Sequence, residues 1–375
     1  MKFTKFLALF CAASALFVAC DPNDQNDPTP EPTPDPTGDL VLSVSPEVGE
    51  VGSPITFTVK QGDVDVTTME DLEIYETENY TVVSNPFTPT IDGEYTFYAV
   101  LGPNVSNRVT VTVNAVAPVI PADTNPSSTT FNHRVLIIDH TGTNCGWCPY
   151  VMSALKQLSE SDYHTKFHEA MAHTFNSNDP SYSSAARTVS SIVKKTNGYP
   201  EANINFYHNA SIGGGSNVAA LCQEFKNNID KLYKANGADA GIAAAASMTS
   251  DSVLVSIDVK AAKEQDYRVA CWLLEDKVEG KQAGAFEQWQ NIHNNGIRNI
   301  TGQRNSGDIS GDDLGVIKAG EVVNKLVEVP VISQKWVREN LKILIIVTAD
   351  NGSGKYDVVN TALCPIGGSV NYEYK

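Results

Sequence analysis

The chain has 375 residues, with 44 acidic against 27 basic side chains and a formal net charge of −17 at pH 7. That length accommodates two or three domains. The acidity argues against nucleic acid as a partner, since phosphate binding needs a basic surface, and suits a soluble, self-repelling surface.

Lys2 and Lys5 precede an apolar run, Phe6 to Val18, shorter than the ~20 residues of a bilayer-spanning helix. The basic start, short apolar core and small residue at Ala19 match a cleaved secretory signal over 1–19. Phe17-Val18-Ala19-Cys20 resembles a bacterial lipobox. That resemblance implies a diacylated Cys20 and a chain anchored to a membrane without spanning it. The alternative is an ordinary signal peptide with an incidental cysteine. Residues 20–39 form an acidic linker in which Pro22, Pro28, Pro30, Pro32, Pro34 and Pro36 alternate with Thr, Asp and Glu. Proline fixes φ and removes donors, so the stretch is expected to be extended, reaching roughly 50–60 Å.

Residues 40–116 read as an all-β sandwich. Leu40–Val44, Ile55–Val59 and Val109–Val113 alternate with period two, and glycines punctuate them. Asp92-Gly93-Glu94-Tyr95 resembles the tyrosine corner of immunoglobulin-like sandwiches. No catalytic constellation is visible here, so the unit reads as a spacer or a binding module. A second linker, 117–130, carries Pro118, Pro121 and Pro126.

Over 131–240 the pattern becomes α/β. Val135-Leu136-Ile137-Ile138 suits a strand buried on both faces. Helices are expected over Pro149–Glu160, Tyr182–Lys195 and Val218–Tyr233, and strands over Phe167–Phe175 and Ile204–Tyr207. Over 241–375 strands return, at Ser252–Ile257, Tyr267–Leu274, Leu341–Val347 and Lys355–Thr361, which suggests a second, separate sandwich-like domain. The Asn-, Gly- and Gln-rich stretch Ala283–Gly311 reads as a long excursion with a short helix near Phe286–Ile292. The expected fold class is therefore multidomain: an immunoglobulin-like sandwich, an α/β domain and a β-rich C-terminal domain.

The chemistry centres on Cys145-Gly146-Trp147-Cys148. A buried strand, a short turn and a CxxC motif opening a helix form the thioredoxin-like arrangement. Free N–H groups and partial positive charge at a helix start favour a thiolate on Cys145, and the thiolate is the nucleophile in disulfide exchange. As nucleophile Cys145 is expected to be solvent-accessible and Cys148, one turn in, to be the more buried resolving thiol, with Trp147 covering the motif. Asp139 lies six residues before Cys145, where burial would raise its pKa and make it a base for Cys148; a solvent-exposed strand-end carboxylate is the alternative. Gly198-Tyr199-Pro200 stands just before a strand, as the cis-proline of thioredoxin-like domains does.

On the stretches Asp139–Pro149, Gly198–Pro200, Ile292–Arg298 and Trp336–Ala362, the chain from Arg134 onward resembles the outer membrane protein twenty-eight-related family of thioredoxin-like lipoproteins of the Bacteroidetes type. The resemblance implies an outer-membrane lipoprotein, on the periplasmic face or the cell surface. It implies Cys145, Cys148, Asp139 and Pro200 as the redox set and leaves the substrate open. Asn144 and Trp147 depart from ordinary thioredoxins, which leaves the redox direction open too. Candidate partners are the membrane, through lipid on Cys20, and envelope proteins bearing thiols or disulfides. Neither a cofactor nor a metal is expected: no second CxxC or Cys/His pair stands at zinc spacing. A structural Cys145–Cys148 disulfide in a non-catalytic binding or scaffold lipoprotein is the competing reading. His293 and Arg298 offer a second candidate site in the C-terminal domain, but lone histidines in polar loops are more often structural, and that is the reading preferred. Cys222, on an apolar helix face, is expected to be a buried inert thiol, which leaves Cys271 and Cys364 as candidates for a second disulfide.

If Cys20 carries the lipid, Cys20→Ala moves the protein from the membrane to the soluble envelope fraction. A variant that stays membrane-bound in high salt counts against the lipobox.

Overall fold

A computed structural model describes residues 36–210 and 215–375. The signal segment, Cys20 and most of the first linker lie outside the described residues. Strands predominate: 24 strands accompany three α-helices among the described residues, and they build distinct units.

The first unit holds β1 (Leu40–Ser45), β2 (Val48–Glu50), β3 (Thr56–Gln61), β4 (Val64–Asp65), β5 (Leu72–Glu76), β6 (Thr81–Val82), β7 (Gly93–Leu101), β8 (Asn104–Val105) and β9 (Val109–Asn114). One sheet runs β1-β3-β4, the other β2-β9-β7-β5-β6. Alternate residues such as Leu42, Phe57, Val59, Phe97 and Val111 point into the core between them, because successive strand side chains face opposite ways. The Tyr95 hydroxyl donates to the Ile91 carbonyl at 2.8 Å, the backward bond of a tyrosine corner.

The rest of the chain comprises β10 (Val135–Thr141), α1 (Cys148–Ser159), β11 (Phe167–His173), α2 (Ser184–Val193), β12 (Glu201–Ile204), β13 (His208–Asn209), α3 (Val218–Leu232), β14 (Ala240–Met248), β15 (Ser252–Ala261), β16 (Gln265–Glu275), β17 (Val278–Glu279), β18 (Ile292–His293), β19 (Gly296–Ile300), β20 (Asp312–Ile317), β21 (Val322–Pro330), β22 (Leu341–Asp350), β23 (Tyr356–Pro365) and β24 (Gly368–Val370). The edge expected at 240/241 does not divide them. A single sheet runs β13-β12-β10-β11-β19-β16-β22-β23, with β20 pairing β16. β19 joins its two halves, parallel to β11 and antiparallel to β16.

Side-chain parity assigns the faces of this sheet. Leu136, Ile138, Ala172, Trp272, Leu344 and Ile346 form one continuous core with α2. The opposite face is shared. Val135, Ile137 and Phe167 pack on α1 and α3, while Val269, Cys271, Leu273, Ile343 and Ile345 pack on the second sheet, β21-β15-β14-β24. The correction has a physical cause. The runs in β16 and β22 are apolar at every position because both faces are covered, the pattern of a central strand in a layered α/β sheet. An isolated sandwich with one solvated face would alternate.

Three further expectations change. The strand expected over Ile204–Tyr207 lies earlier, at Glu201–Ile204, because Asn205 adopts φ +53° and turns the chain after Ile204. The excursion supplies a central strand, β19, and its helix is a single 3-10 turn, Gln288–Asn291. Cys271 and Cys364 are both free and buried, as is Cys222. Strand β22 lies between β16 and β23, so two strand spacings, roughly 9–10 Å, separate the two cysteines. A disulfide needs Cα atoms about 4.4–6.8 Å apart.

The fragment 131–240 expressed alone leaves β11 as an open edge and the α2 face without Trp272, Leu344 and Ile346. It is expected to aggregate or give a collapsed amide NMR spectrum; a well-dispersed monomer spectrum would show that the α/β half folds independently.

Candidate functional site

The turn that follows β10 carries the cysteines. Cys145 and Cys148 are joined in a disulfide. Cys148 opens α1, and Pro149, lacking an N–H, sits in its first turn, where that donor is not needed. No acidic residue occupies this first turn, which leaves the helix's partial positive charge uncompensated near the motif. Gly142 packs so closely on Phe175 that a Cβ would lie 2.5 Å from the Phe175 Cβ. Asp179 secures the next residue. Its Oδ2 accepts the Thr143 N–H at 2.6 Å and the His173 Nδ1–H at 3.0 Å, and its Oδ1 accepts the Ser181 N–H. Burial opposes ionisation of Asp179, but these hydrogen bonds and the nearby His173 hold it well below the usual carboxylate range.

Asp139 lies on the face of β10 that α1 covers, in step with Val135 and Ile137. It is fully buried, and neither carboxylate oxygen has a hydrogen-bond partner among the described residues. Burial, with Glu169 of β11 adding negative charge, pushes its pKa up to about 8. Glu169 is itself raised by burial; its Oε1 accepts from Asn295 while Oε2 has no partner. The buried alternative for Asp139 therefore replaces the solvent-exposed one.

Pro200 follows a cis Tyr199–Pro200 bond. His140 pairs with Glu201 across β10 and β12, so Pro200 stands one residue farther along, at the sheet end from which the cysteine turn departs. A polar chain secures this corner. His140 is buried with a pKa lowered to about 4 by desolvation, so its ring is neutral. Nε2 donates to Asn203 Oδ1 at 2.8 Å, which leaves Nδ1 to accept from the Ser190 hydroxyl at 2.7 Å. Ser190 reaches Thr174 Oγ1, and Thr174 reaches the Tyr199 hydroxyl, each at 3.0 Å. Buried Glu201 accepts the main-chain N–H groups of Lys195 and Thr196. None of these supports was anticipated from the sequence, because each joins side chains from different elements.

The motif is covered, and not by Trp147, which is 53% exposed. The cover is the loop of the β17–β18 hairpin. Gln282 Nε2 donates to the carbonyls of Gly142 and Cys145 at 3.2 and 2.9 Å. The Ala283 N–H donates to the Thr143 carbonyl at 2.6 Å. Gly284 rests on Gly146, and Phe286 lies 5.2 Å from the Tyr150 ring, which in turn meets Trp147. Gln290 donates to the Pro149 carbonyl and the Ser153 hydroxyl, and its Oε1 accepts the N–H groups of Phe286 and Glu287. Cys145 is consequently only 3% exposed and Cys148 fully buried. An accessible Cys145, expected from its place before a helix, is thus overturned by residues more than 130 positions downstream. The only sequence signal was an amide-rich excursion.

His293 and Arg298 make structural contacts. His293 bonds the Gly280 carbonyl and meets the His173 ring edge-on. Arg298 Nε pairs with Glu275 at 2.6 Å, both buried. Among the described residues no group of three or more His, Cys, Asp or Glu is placed to hold a metal ion.

The Asp139 environment has a stability consequence. Its folded-state pKa of about 8 stands above the ordinary 3.8. The associated stability is therefore complete below the ordinary value and is lost as pH rises through 8. Asp139→Asn removes the charge and is expected to raise stability at pH 8 by on the order of 2–4 kcal/mol, with little effect at pH 4. Denaturant titrations at both pH values check this; equal changes at both would mean that Asp139 ionises freely in the fold.

No protein-family model matches the chain, and no curated protein matches it. Among solved structures it is similar to HBP35 of Porphyromonas gingivalis, with 15% identity over 64% of this chain and 76% of that one and a TM-score of 0.48. It is also similar to the structure of surface layer protein SbsC, domains 4–9, with 10% identity over 88% of this chain and 51% of that one and a TM-score of 0.16. Likenesses of this degree carry no argument about fold or activity.

Proposed function

We propose that the chain is a thiol–disulfide exchange protein of the bacterial cell envelope, held to the outer membrane by lipid on Cys20, with Cys145 and Cys148 as its redox pair in a thioredoxin-like unit. The observation that carries this reading is the juxtaposition at one sheet end. A disulfide before and at the start of α1, a buried carboxyl without hydrogen-bond partners on the face beneath α1, and Pro200 at the same corner meet there.

The step runs as follows. A thiolate of the partner protein bonds to Cys145 Sγ as the Cys145–Cys148 bond breaks, and Cys148 leaves with the electron pair and takes a proton from Asp139. A second partner thiolate then attacks the partner's own sulfur in the mixed disulfide, a partner disulfide forms as the bond to Cys145 breaks, and Cys145 leaves as the thiolate, which takes a proton from solvent. The partner ends oxidised and Cys145 and Cys148 reduced; the reverse sequence oxidises the pair. A group with a pKa near working pH serves either direction, since it can both give and accept the proton. The α1 dipole favours a thiolate at Cys145, while the acidic surface disfavours binding of polyanions.

The near-complete burial of Cys145 favours a second reading, a non-catalytic surface binding or scaffold lipoprotein whose disulfide only braces the turn. Insulin reduction at pH 7 separates the two. Exchange predicts turnover that falls to background in Cys145→Ser, with Cys148→Ser accumulating a mixed disulfide because the resolving thiol is gone. No turnover by the unaltered protein and no trapped species would leave the bracing role.

A further inference from the structure

The loop over the cysteine turn belongs to a small hairpin that is built differently from the rest of the sheet. β17 and β18 pair only with each other, through Val278–His293 and Glu279–Ile292. Immediately before the hairpin stands Lys277 with φ +59°, and just after it Asn295 with φ +57°. Both are non-glycine residues in the left-handed region, a conformation found where chain segments pivot or are held under constraint. Between these two points the hairpin meets the cysteine turn through Gln282, Ala283 and Gly284 at its tip, α1 through Gln290 on Pro149 and Ser153, and β11 through His293 on the His173 ring.

Those contacts take up what an incoming polypeptide would need. The carbonyls of Gly142 and Cys145 accept from Gln282 Nε2 beside the N–H groups of Cys145 and Cys148 within the turn, and the Thr143 carbonyl accepts the Ala283 N–H. The platform at Gly146 accepts only a residue without a side chain at that height: a Cβ on Gly284, whose φ is +71°, would lie 2.4 Å from the Gly146 carbonyl oxygen. Tyr150 receives an aromatic ring, that of Phe286. Attack on a disulfide needs approach along the S–S axis to a reachable sulfur, and Cys145 under this cover is 3% exposed.

We propose that the hairpin 278–293 is a gate seated in the groove of the exchange partner: it lifts off the cysteine turn before Cys145 reacts, and a tight turn of the partner takes over the contacts of residues 282–286. The partner's chemistry follows from the seat, where the Ala285 N–H donates to the Gln282 carbonyl and closes a turn with Gly284 at φ +71°. It is a polypeptide loop that turns in the same way and offers a main-chain N–H to Thr143, a glycine or similarly small residue over Gly146 and an aromatic side chain to Tyr150. A folded surface with bulky side chains at the central position does not fit. The partner half of this inference rests on the exchange reading above; the gate half rests on geometry alone.

Reduction of the full chain by dithiothreitol tests the gate without requiring catalysis. One reductant thiolate bonds to Cys145 as Cys148 leaves as the thiolate; the second reductant thiol then closes its own disulfide and frees Cys145. Two electrons and two protons pass to the protein. The rate is read by quenching with iodoacetamide and weighing the protein. Gly284→Val cannot stay seated and is expected to be reduced at least tenfold faster than the unaltered protein. Gln282→Ala removes the amide bonds without a backbone collision and is expected to gain severalfold, about the effect of a buried hydrogen bond.

Amide exchange by mass spectrometry reports the gate directly. Loss of protection at Ala283 with protection retained in β10 marks an open gate in an intact fold. An open gate with an unchanged reduction rate overturns the proposal, as does a closed gate in both variants. If Gly284→Val also loses β10 protection, Gln282→Ala decides. Fast reduction of the variants without insulin turnover would sustain the gate and sink the exchange reading, so the two failures are distinguishable.

Discussion

The arrangement at the cysteines depends on one short strand. β19 pairs with β11 on one side and β16 on the other, and without it the sheet would be two sheets. It enters beside β11 through the Met171 N–H to the Asn295 carbonyl and is held laterally by the buried Arg298–Glu275 pair. Arg298 also donates to the Pro180 carbonyl, so the same guanidinium ties the antiparallel half to the segment that carries Asp179. The hairpin preceding β19 has nowhere to go but over the sheet end, where the turn from β10 to α1 lies. The pairing that unites the two halves is therefore also what delivers the cover to Cys145.

A buried charge pattern runs beneath that cover. On the α1 face of the sheet, Asp139 is raised by desolvation and by Glu169, and Glu169 by desolvation and by Asp276, and the fold leaves both Asp139 oxygens without partners among the described residues. Such groups are costly unless they remain neutral. On the opposite face His140, Ser190, Thr174 and Tyr199 form an unbroken chain. The contrast is chemically coherent. A network with every donor and acceptor used rigidifies the corner at Pro200, whereas a carboxyl with none keeps its proton exchangeable near neutral pH.

Both halves of the turn are fastened from outside their own sequence neighbourhood. Asp179 bonds Thr143 from below and Ala283 bonds it from above. Gln290 reaches the start of α1 at Pro149. A CxxC turn held in this way exposes little of its sulfur and much of Trp147, the reverse of what the motif read by itself would suggest.

Local signals were strong where a property depends on neighbours in sequence. The amphipathic spacing of Leu221, Cys222, Phe225 and Ile229 identified α3 to within a residue, since a helix face is set by a 3.6-residue period. The apolar run before the CxxC motif marked β10, and the DGEY corner marked Tyr95, whose bond spans only four residues. The sequence alone thus determined the strands and helices around the cysteines, their disulfide partnership at a separation of three and the burial of Cys222. Strand order lay beyond it: pairing is chosen by which apolar faces match across hundreds of residues. β19, five residues without a marked pattern, became central only because Ile297 fits the core shared with Trp272 and α2. The separation of Cys271 from Cys364 and the cover over Cys145 were decided in the same way. Both are properties of sheet order and of a loop that closes over a distant turn, and no local period encodes either.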